Sequence, residues 1–280
     1  MRILFLVMLL SLPLGRCAES GPPAREDRIV RVETTAGGVR FGLLGEPRQL
    51  PAPTLFVFAS TIDTTLGGGN GGYYLQAGSH LLDRGYLCVS VDLPCHGGER
   101  RPGESEGLRG WRERFDRKEP FLKKLNGRLS AVLDHLIAAG LSNPDRVAAC
   151  GVSRGGFVAL HWAARDKRIR AVAGFAPVTD LAALSEFAGA ADQSVLRAAS
   201  VSQVADQLAG RPVWLAIGDR DVRVDTDRTI AFARAVSHAS YAQDVDSHVE
   251  LHVLPEPRGH TMPIDAFETA ANWIERQIPR

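Results

Sequence analysis

Cysteine is scarce. The chain has four in 280 residues, at positions 17, 88, 95 and 150, and no C-x-x-C spacing. That argues against a disulfide framework or a Cys-rich zinc site as the source of stability. Excess charge of one sign is also missing. Thirty-three Lys and Arg face 32 Asp and Glu, for a formal net charge of +1, and no basic stripe or acidic tail stands out. Nothing recommends nucleic acid or an anionic membrane surface as a partner. Beyond the first twenty residues no apolar run approaches the ~20 residues of a bilayer span. Internal repeats, low-complexity tracts and long linkers are absent too, so a single α/β domain is expected.

The first residues form a separate unit. Arg2 gives a short positive start, Ile3 to Leu14 is apolar except for Ser11 and Pro13, and small residues follow around Gly15 to Gly21. This is the layout of a secretory signal peptide. The expected organisation is a leader over residues 1–20 and one domain over 21–280. Cleavage after Ser20 would use Ala18 and Ser20 as the small residues; cleavage after Cys17 would use Gly15 and Cys17. A lipid on Cys17 is disfavoured, because Arg16 stands where a small residue is wanted. The expected location is secreted or periplasmic, with no stable membrane span after leader removal. Cys88, Cys95 and Cys150 then remain, and one pair, Cys88 or Cys95 with Cys150, stays open.

From Arg28 onward, short β-rich runs (Arg28–Thr35, Val39–Leu44, Thr54–Ala59) are separated by Gly37-Gly38 and by Pro47, Pro51 and Pro53. The first two read as a hairpin. The pattern then alternates. Helix-like stretches near Tyr74–Arg84, Phe121–Ala139, Gly155–Ala164, Asp227–Ala235 and Ile264–Gln277 are interleaved with apolar runs at Tyr86–Val91, Arg146–Cys150, Ile169–Phe175, Val213–Ile217 and Val249–Leu254. Repeated βα alternation predicts a mostly parallel central sheet with an N-terminal β-hairpin and helices on both faces. The Arg-rich piece between Glu99 and Lys124 reads as a solvated mixed-charge surface.

Gly151-Val152-Ser153-Arg154-Gly155-Gly156 holds G-x-S-x-G directly between a predicted strand and a predicted helix. A nucleophile at a sharp strand–turn–helix bend needs neighbours without a Cβ, and the bend aims backbone N–H groups and a helix N-terminus where an oxyanion forms. This elbow resembles that of the α/β-hydrolase superfamily, especially the dienelactone hydrolase and prolyl oligopeptidase-like branch. Arg168 to Asp180 resembles the next strand and loop of that branch, and the resemblance runs from about Thr54 to the C-terminus. It implies an α/β-hydrolase fold with Ser153 as nucleophile.

A serine hydroxyl needs a base, and the base needs an orienting acid, which in this fold follow in the order Ser, Asp or Glu, His. His238, His248, His252 and His260 come after the candidate acids. His260, in Arg258-Gly259-His260-Thr261 between the last strand and last helix, sits where the fold delivers its base. For the acid, Gly218, Asp221 and Val224 match the family turn G-x-x-D-x-x-V. Asp221 is preferred over Asp219, with Asp225 third. The backbone N–H of Arg154 is the expected first oxyanion donor. The second is expected from the loop after the third strand, where Ala59-Ser60-Thr61 departs from the family's His-Gly; Thr61 is first choice and Ser60 second.

Two motifs point elsewhere. Gly67-Gly68-Gly69-Asn70-Gly71-Gly72 satisfies G-x-G-x-x-G with Asp92 downstream, but the glycines begin too far past a strand end for a dinucleotide fingerprint. Asp92-Leu93-Pro94-Cys95-His96-Gly97 resembles the family's Asp-x-x-Gly-His-Gly loop and reads as a structural turn rather than a thiol site. No metal and no organic cofactor are expected. Between Pro177 and Arg211 the chain is rich in Ala, Ser and Asp and poor in bulky apolar residues. The expected activity is therefore a serine esterase acting on a small-molecule ester with a short acyl group. A prolyl oligopeptidase-like peptidase and a non-catalytic binding fold are the alternatives, and oligomeric state stays open.

Overall fold

The apolar runs become strands in the computed structural model, which describes residues 29–279. The leader expected over 1–20, Cys17 and Arg28 lie outside the described residues. β1 (Arg31–Thr34) and β2 (Arg40–Leu44) form the expected antiparallel hairpin. β3 (Ala52–Phe58), β4 (Leu87–Ser90), β5 (Ser142–Val152), β6 (Ile169–Phe175), β7 (Val213–Gly218) and β8 (Val249–Leu254) complete one sheet, in the order β1-β2-β4-β3-β5-β6-β7-β8. From β4 to β8 every pairing is parallel. β3, β4 and β7 are buried along their whole length, which is why they read as unbroken apolar runs.

Helices cover both faces. α1 (Ile62–Leu66), α2 (Gly78–Leu81) and α8 (Ile264–Gln277) pack on one side, and α4 (Phe121–Ala138), α5 (Arg154–Arg165) and α7 (Thr226–Ala242) on the other. Trp162 of α5 meets Phe56 edge-on at a 4.6 Å centroid separation, fixing α5 over β3. The helix expected over Tyr74–Arg84 is broken into two 3-10 turns flanking α2, because Gln76 takes φ 53° and its side chain donates to Phe58 O at 3.0 Å.

The stretch from Glu99 to Lys124 is not simply a solvated surface. It contains α3 (Gly107–Asp116), which buries Leu108, Trp111 and Phe115, an i, i+3, i+7 stripe hidden among charges. α3 is held by a buried ion pair. Arg114 donates to both oxygens of Glu104 at 2.7 Å, and Arg117 adds a contact at 3.1 Å. The Arg114 hydrogen bonds, working against burial, pull the Glu104 carboxyl from 4.5 to about 2. A depressed carboxylate contributes stability that is complete above pH 4.5 and is lost as pH falls through about 2. Glu104→Gln is expected to cost about 3 kcal/mol at neutral pH by stranding Arg114. Urea midpoints at pH 7 and pH 3 check this, and the gap between variant and wild type should narrow at the lower pH.

α6 (Gln193–Ala198) and several 3-10 turns fill the segment between β6 and β7. No disulfide joins the described cysteines, so the pairing left open does not form: Cys88, Cys95 and Cys150 lie as thiols in the core. No helix among the described residues is long and apolar enough to cross a membrane.

Candidate active site

β5 runs into the sheet centre and stops at Val152, and α5 starts at Arg154, so the whole change of direction falls on Ser153. Its φ of 54° and ψ of −118° are unusual for an L residue and cost about 1–3 kcal/mol unless the surroundings hold them. Three backbone hydrogen bonds do so: Ser153 N donates to Phe175 O at 2.9 Å, and Ser153 O accepts from Val178 N at 3.0 Å and Phe157 N at 3.2 Å. The glycines of the motif answer to close approach. A Cβ on Gly151 would stand 2.1 Å from Gly155 C, and one on Gly155 would stand 1.9 Å from Phe58 O. Helix α5 is thereby pressed against the end of β3.

The turn between β7 and α7 carries three carboxylates, which face three ways. Asp221 is 2 % exposed. Its Oδ1 accepts from Arg223 N at 2.9 Å and Val224 N at 3.1 Å, leaving Oδ2 to meet His260 Nδ1 at 2.8 Å. Burial alone would raise its carboxyl, but the His260 contact and the two backbone N–H groups outweigh burial and bring it below the ordinary range. Asp219 instead accepts from Glu256 N at 2.9 Å, tying two loops together. Asp225 caps α7 through Asp227 N at 3.0 Å and pairs with Arg228 at 3.3 Å.

His260 stands in the β8–α8 loop with Nε2 3.0 Å from Ser153 Oγ. A carboxylate can only accept, so Nδ1 carries the proton and Nε2 offers its lone pair to the hydroxyl. The other late histidines lie elsewhere. His252 is on β8 with its ring 4.9 Å from that of Trp214, His238 is on α7, and His248 immediately precedes β8. The structure thus brings Ser153, His260 and Asp221 into one hydrogen-bonded line.

A cavity of about 540 Å³ opens over Ser153 and His260. Much of its wall was not foreseen. Tyr73 and Tyr74 reach it from the turn after the Gly-rich loop, and Glu106 to Arg109 reach it from the start of α3. Tyr73 is also fixed to the loop that carries His260, its hydroxyl accepting from Met262 N at 3.0 Å. Arg154, Glu186 and Arg223 add charge to the wall, with Glu186 and Arg223 paired at 2.5 Å. The only advance sign of these residues was the apolar spacing of α3 and the tyrosine pair beside the glycines.

The backbone N–H of Arg154, the expected first oxyanion donor, belongs to the first residue of α5, directly after Ser153. Thr61 caps α1: its hydroxyl oxygen accepts from Thr64 N at 3.0 Å and meets Thr64 Oγ1 at 2.9 Å. From this loop Ala59, rather than Ser60 or Thr61, is the residue lining the cavity. Asp92 serves the scaffold, accepting from Ile62 N at 2.8 Å and Gly98 N at 2.9 Å and pairing with Arg40 at 3.2 Å. Gly67 to Gly72 follow α1 rather than a strand end. Cys95 adopts φ 62° where the family loop has Gly, and burial pushes its thiol up to about 12, far from a reactive thiolate. Among the described residues no group of three or more His, Cys, Asp or Glu is arranged to hold a metal ion.

The sequence pattern of the alpha/beta hydrolase family matches residues 66–278. No curated protein matches the chain in sequence. Several solved structures share its fold. A cold-adapted esterase from an Arctic intertidal metagenomic library superposes with a TM-score of 0.63 at 17% identity, over 89% of this chain and 93% of the esterase. TT1662 from Thermus thermophilus gives 0.65 at 22% identity, over 90% and 99%. Dipeptidyl peptidase 4 of Porphyromonas gingivalis gives 0.63 at 15% identity, over 90% of this chain but 35% of the peptidase. Acylaminoacyl peptidase of Pyrococcus horikoshii is likewise matched over 42% of its length, and a Bacteroides ovatus chain described as a dipeptidyl aminopeptidase IV over 36%. At these identities the likeness is one of fold.

Proposed function

The chain belongs to the alpha/beta hydrolase family, and from that premise we propose that it is a serine hydrolase cleaving small, short-acyl carboxylic esters through an acyl-enzyme. The observation that carries this reading is the line from Asp221 through His260 to Ser153, with links of 2.8 and 3.0 Å, opening on a cavity. Ser153 Oγ attacks the ester carbonyl while His260 Nε2 takes its proton. Asp221 holds the imidazole in the required tautomer and stabilises the imidazolium. The backbone N–H of Arg154, with a second from the Ala59–Thr61 segment (Thr61 in the reading from sequence), receives the developing oxyanion. The alcohol departs with the proton from His260, and a water activated by the same nitrogen releases the acid.

The cavity wall favours small polar esters. The bulky apolar residues that the β6–β7 segment does have, Leu181, Leu184, Phe187, Leu196 and Leu208 among them, are buried in the core instead of lining a groove. A long-chain specialist would use such a groove, since each methylene buried gains about 0.8 kcal/mol. The peptidase reading draws on relatives of which this chain spans little more than a third. A non-catalytic fold has no need of three aligned side chains. A fluorophosphonate probe is expected to label the protein at Ser153, located by peptide mass, and kcat/KM for acyl esters to fall at least tenfold between butyryl and palmitoyl. Labelling at another residue would remove the serine assignment. A profile rising toward palmitoyl would remove the short-acyl one.

A further inference from the structure

Two groups in the cavity wall play no part in the proton relay and lack partners on the side they present to it. Arg154 follows the nucleophile, and its side chain is half-buried. Nε donates to Ala59 O at 3.1 Å, but no carboxylate among the described residues lies within ion-pair distance of the guanidinium. Glu186 is taken by Arg223, and Glu106 is exposed at the rim. Burial pulls the guanidinium below its ordinary value, and the more distant charges of Glu106 and Glu186 offset this only in part. His96 is the second group. It is 2 % exposed, and its Nε2 is buried with no hydrogen-bond partner.

The tautomer of His96 decides what that nitrogen can bind. Nδ1 lies 2.9 Å from Pro94 O, and a carbonyl only accepts, so Nδ1 carries the hydrogen. Burial and the neighbouring Arg154 charge hold the ring neutral. Nε2 therefore presents a bare lone pair. The two groups face the same spot: a Cβ on Gly107 would stand 3.5 Å from His96 Nε2 and 3.9 Å from an Arg154 Nη. One is a strong donor with positive charge, the other a pure acceptor whose solitude is costly.

We infer that this corner is the recognition subsite of the ester, and that it takes a carboxylate on Arg154 with an adjacent hydroxyl donated to His96 Nε2. The inference rests on the hydrolase reading and adds the substrate class, an ester bearing a hydroxy-carboxylate. A fully ionised phosphate would satisfy Arg154 but has no hydrogen to give His96, and an uncharged acyl group would leave both unpaired.

The test compares 4-acetoxybenzoate with 4-acetoxybenzamide, which differ in charge; the phenol of the amide is intrinsically the better leaving group. Wild-type kcat/KM should favour the carboxylate at least tenfold, and in Arg154→Met the ratio should fall to about one. Because the ratio is taken within one variant, a general loss of rate cancels. Glycolate should inhibit at least fivefold more tightly than acetate, and His96→Phe should erase that difference. Equal wild-type rates on the two esters, with Ser153 still labelled by the fluorophosphonate, would overturn the subsite and leave the hydrolase reading standing. If no ester is turned over at all, glycolate titrated calorimetrically into the wild-type protein decides the subsite by itself. Binding that disappears in Arg154→Met supports it, and no binding overturns it.

Discussion

Asp221→Asn is expected to lower kcat on a short-acyl ester by about 10⁴-fold, whereas Asp219→Asn should cost about tenfold or less. The difference follows from which way each carboxylate faces. In Asp221 the Oδ1 position is fixed by two backbone donors, Arg223 N and Val224 N. An Asn there keeps its carbonyl oxygen on those donors and turns its NH₂ toward His260. That group donates, so His260 Nδ1 must become the acceptor and the ring hydrogen moves to Nε2. The nitrogen facing Ser153 can then no longer take its proton. The backbone hydrogen bonds survive, so the melting temperature should change little while turnover collapses. Asp219 contacts Glu256 N and not the base, so its neutral isostere weakens a loop tie and leaves the relay intact. Steady-state kcat for the two variants, with thermal melts as control, makes the comparison. The opposite ranking would move the acid role to Asp219.

How much of this was legible varied with the kind of signal. The elbow could be read because its constraints are local in sequence: a strand, a bend that rejects a Cβ at Gly151 and Gly155, and a helix follow one another without a break from Ser142 to Arg165. The sheet could be read because β3, β4 and β7 are buried on both faces and so contain almost nothing but apolar residues. Asp221 and Asp219 were harder. They lie two residues apart in one turn, composition cannot separate them, and the family register supplied the preference. α3 was hidden because Arg109, Arg112, Glu113 and Asp116 outnumber the Leu108–Trp111–Phe115 stripe that it buries. The second oxyanion donor was least legible of all. A backbone N–H has no side-chain signature, so only the position of the loop after the third strand pointed to Thr61, whose hydroxyl caps α1. Tyr73 and Tyr74 were passed over because the literal G-x-G-x-x-G match beside them drew the attention and failed on context, and two tyrosines in a turn carry no periodic signal; the turn after those glycines places both on the cavity wall.

Gly155→Ala is expected to destabilise the protein by more than about 4 kcal/mol, a size reached only when buried structure has nowhere to go. The added Cβ would stand 1.9 Å from Phe58 O, 2.5 Å from Phe58 C and 3.1 Å from Ala59 N. These are backbone atoms of β3 and the residue after it, not the ends of side chains that could rotate away. Relief requires α5 to lift from the sheet, and α5 is anchored by Trp162 against Phe56 and by the bonds that hold Ser153 in its bend. For a domain of this size the loss corresponds to a melting temperature lower by on the order of 10 °C, or to failure to accumulate folded protein. Gly127→Ala provides the contrast. Gly127 lies within α4, where an added Cβ meets nothing within 4 Å, so better helix propensity should stabilise the protein by about 0.5–1 kcal/mol. Any Gly155→Ala protein that does fold should also react more slowly with the fluorophosphonate, because the Ala59 segment and Ser153 cannot both keep their places once α5 moves. Melting within about 2 °C of wild type together with unchanged labelling would show that α5 and β3 are not in the tight contact on which the geometry at Ser153 depends.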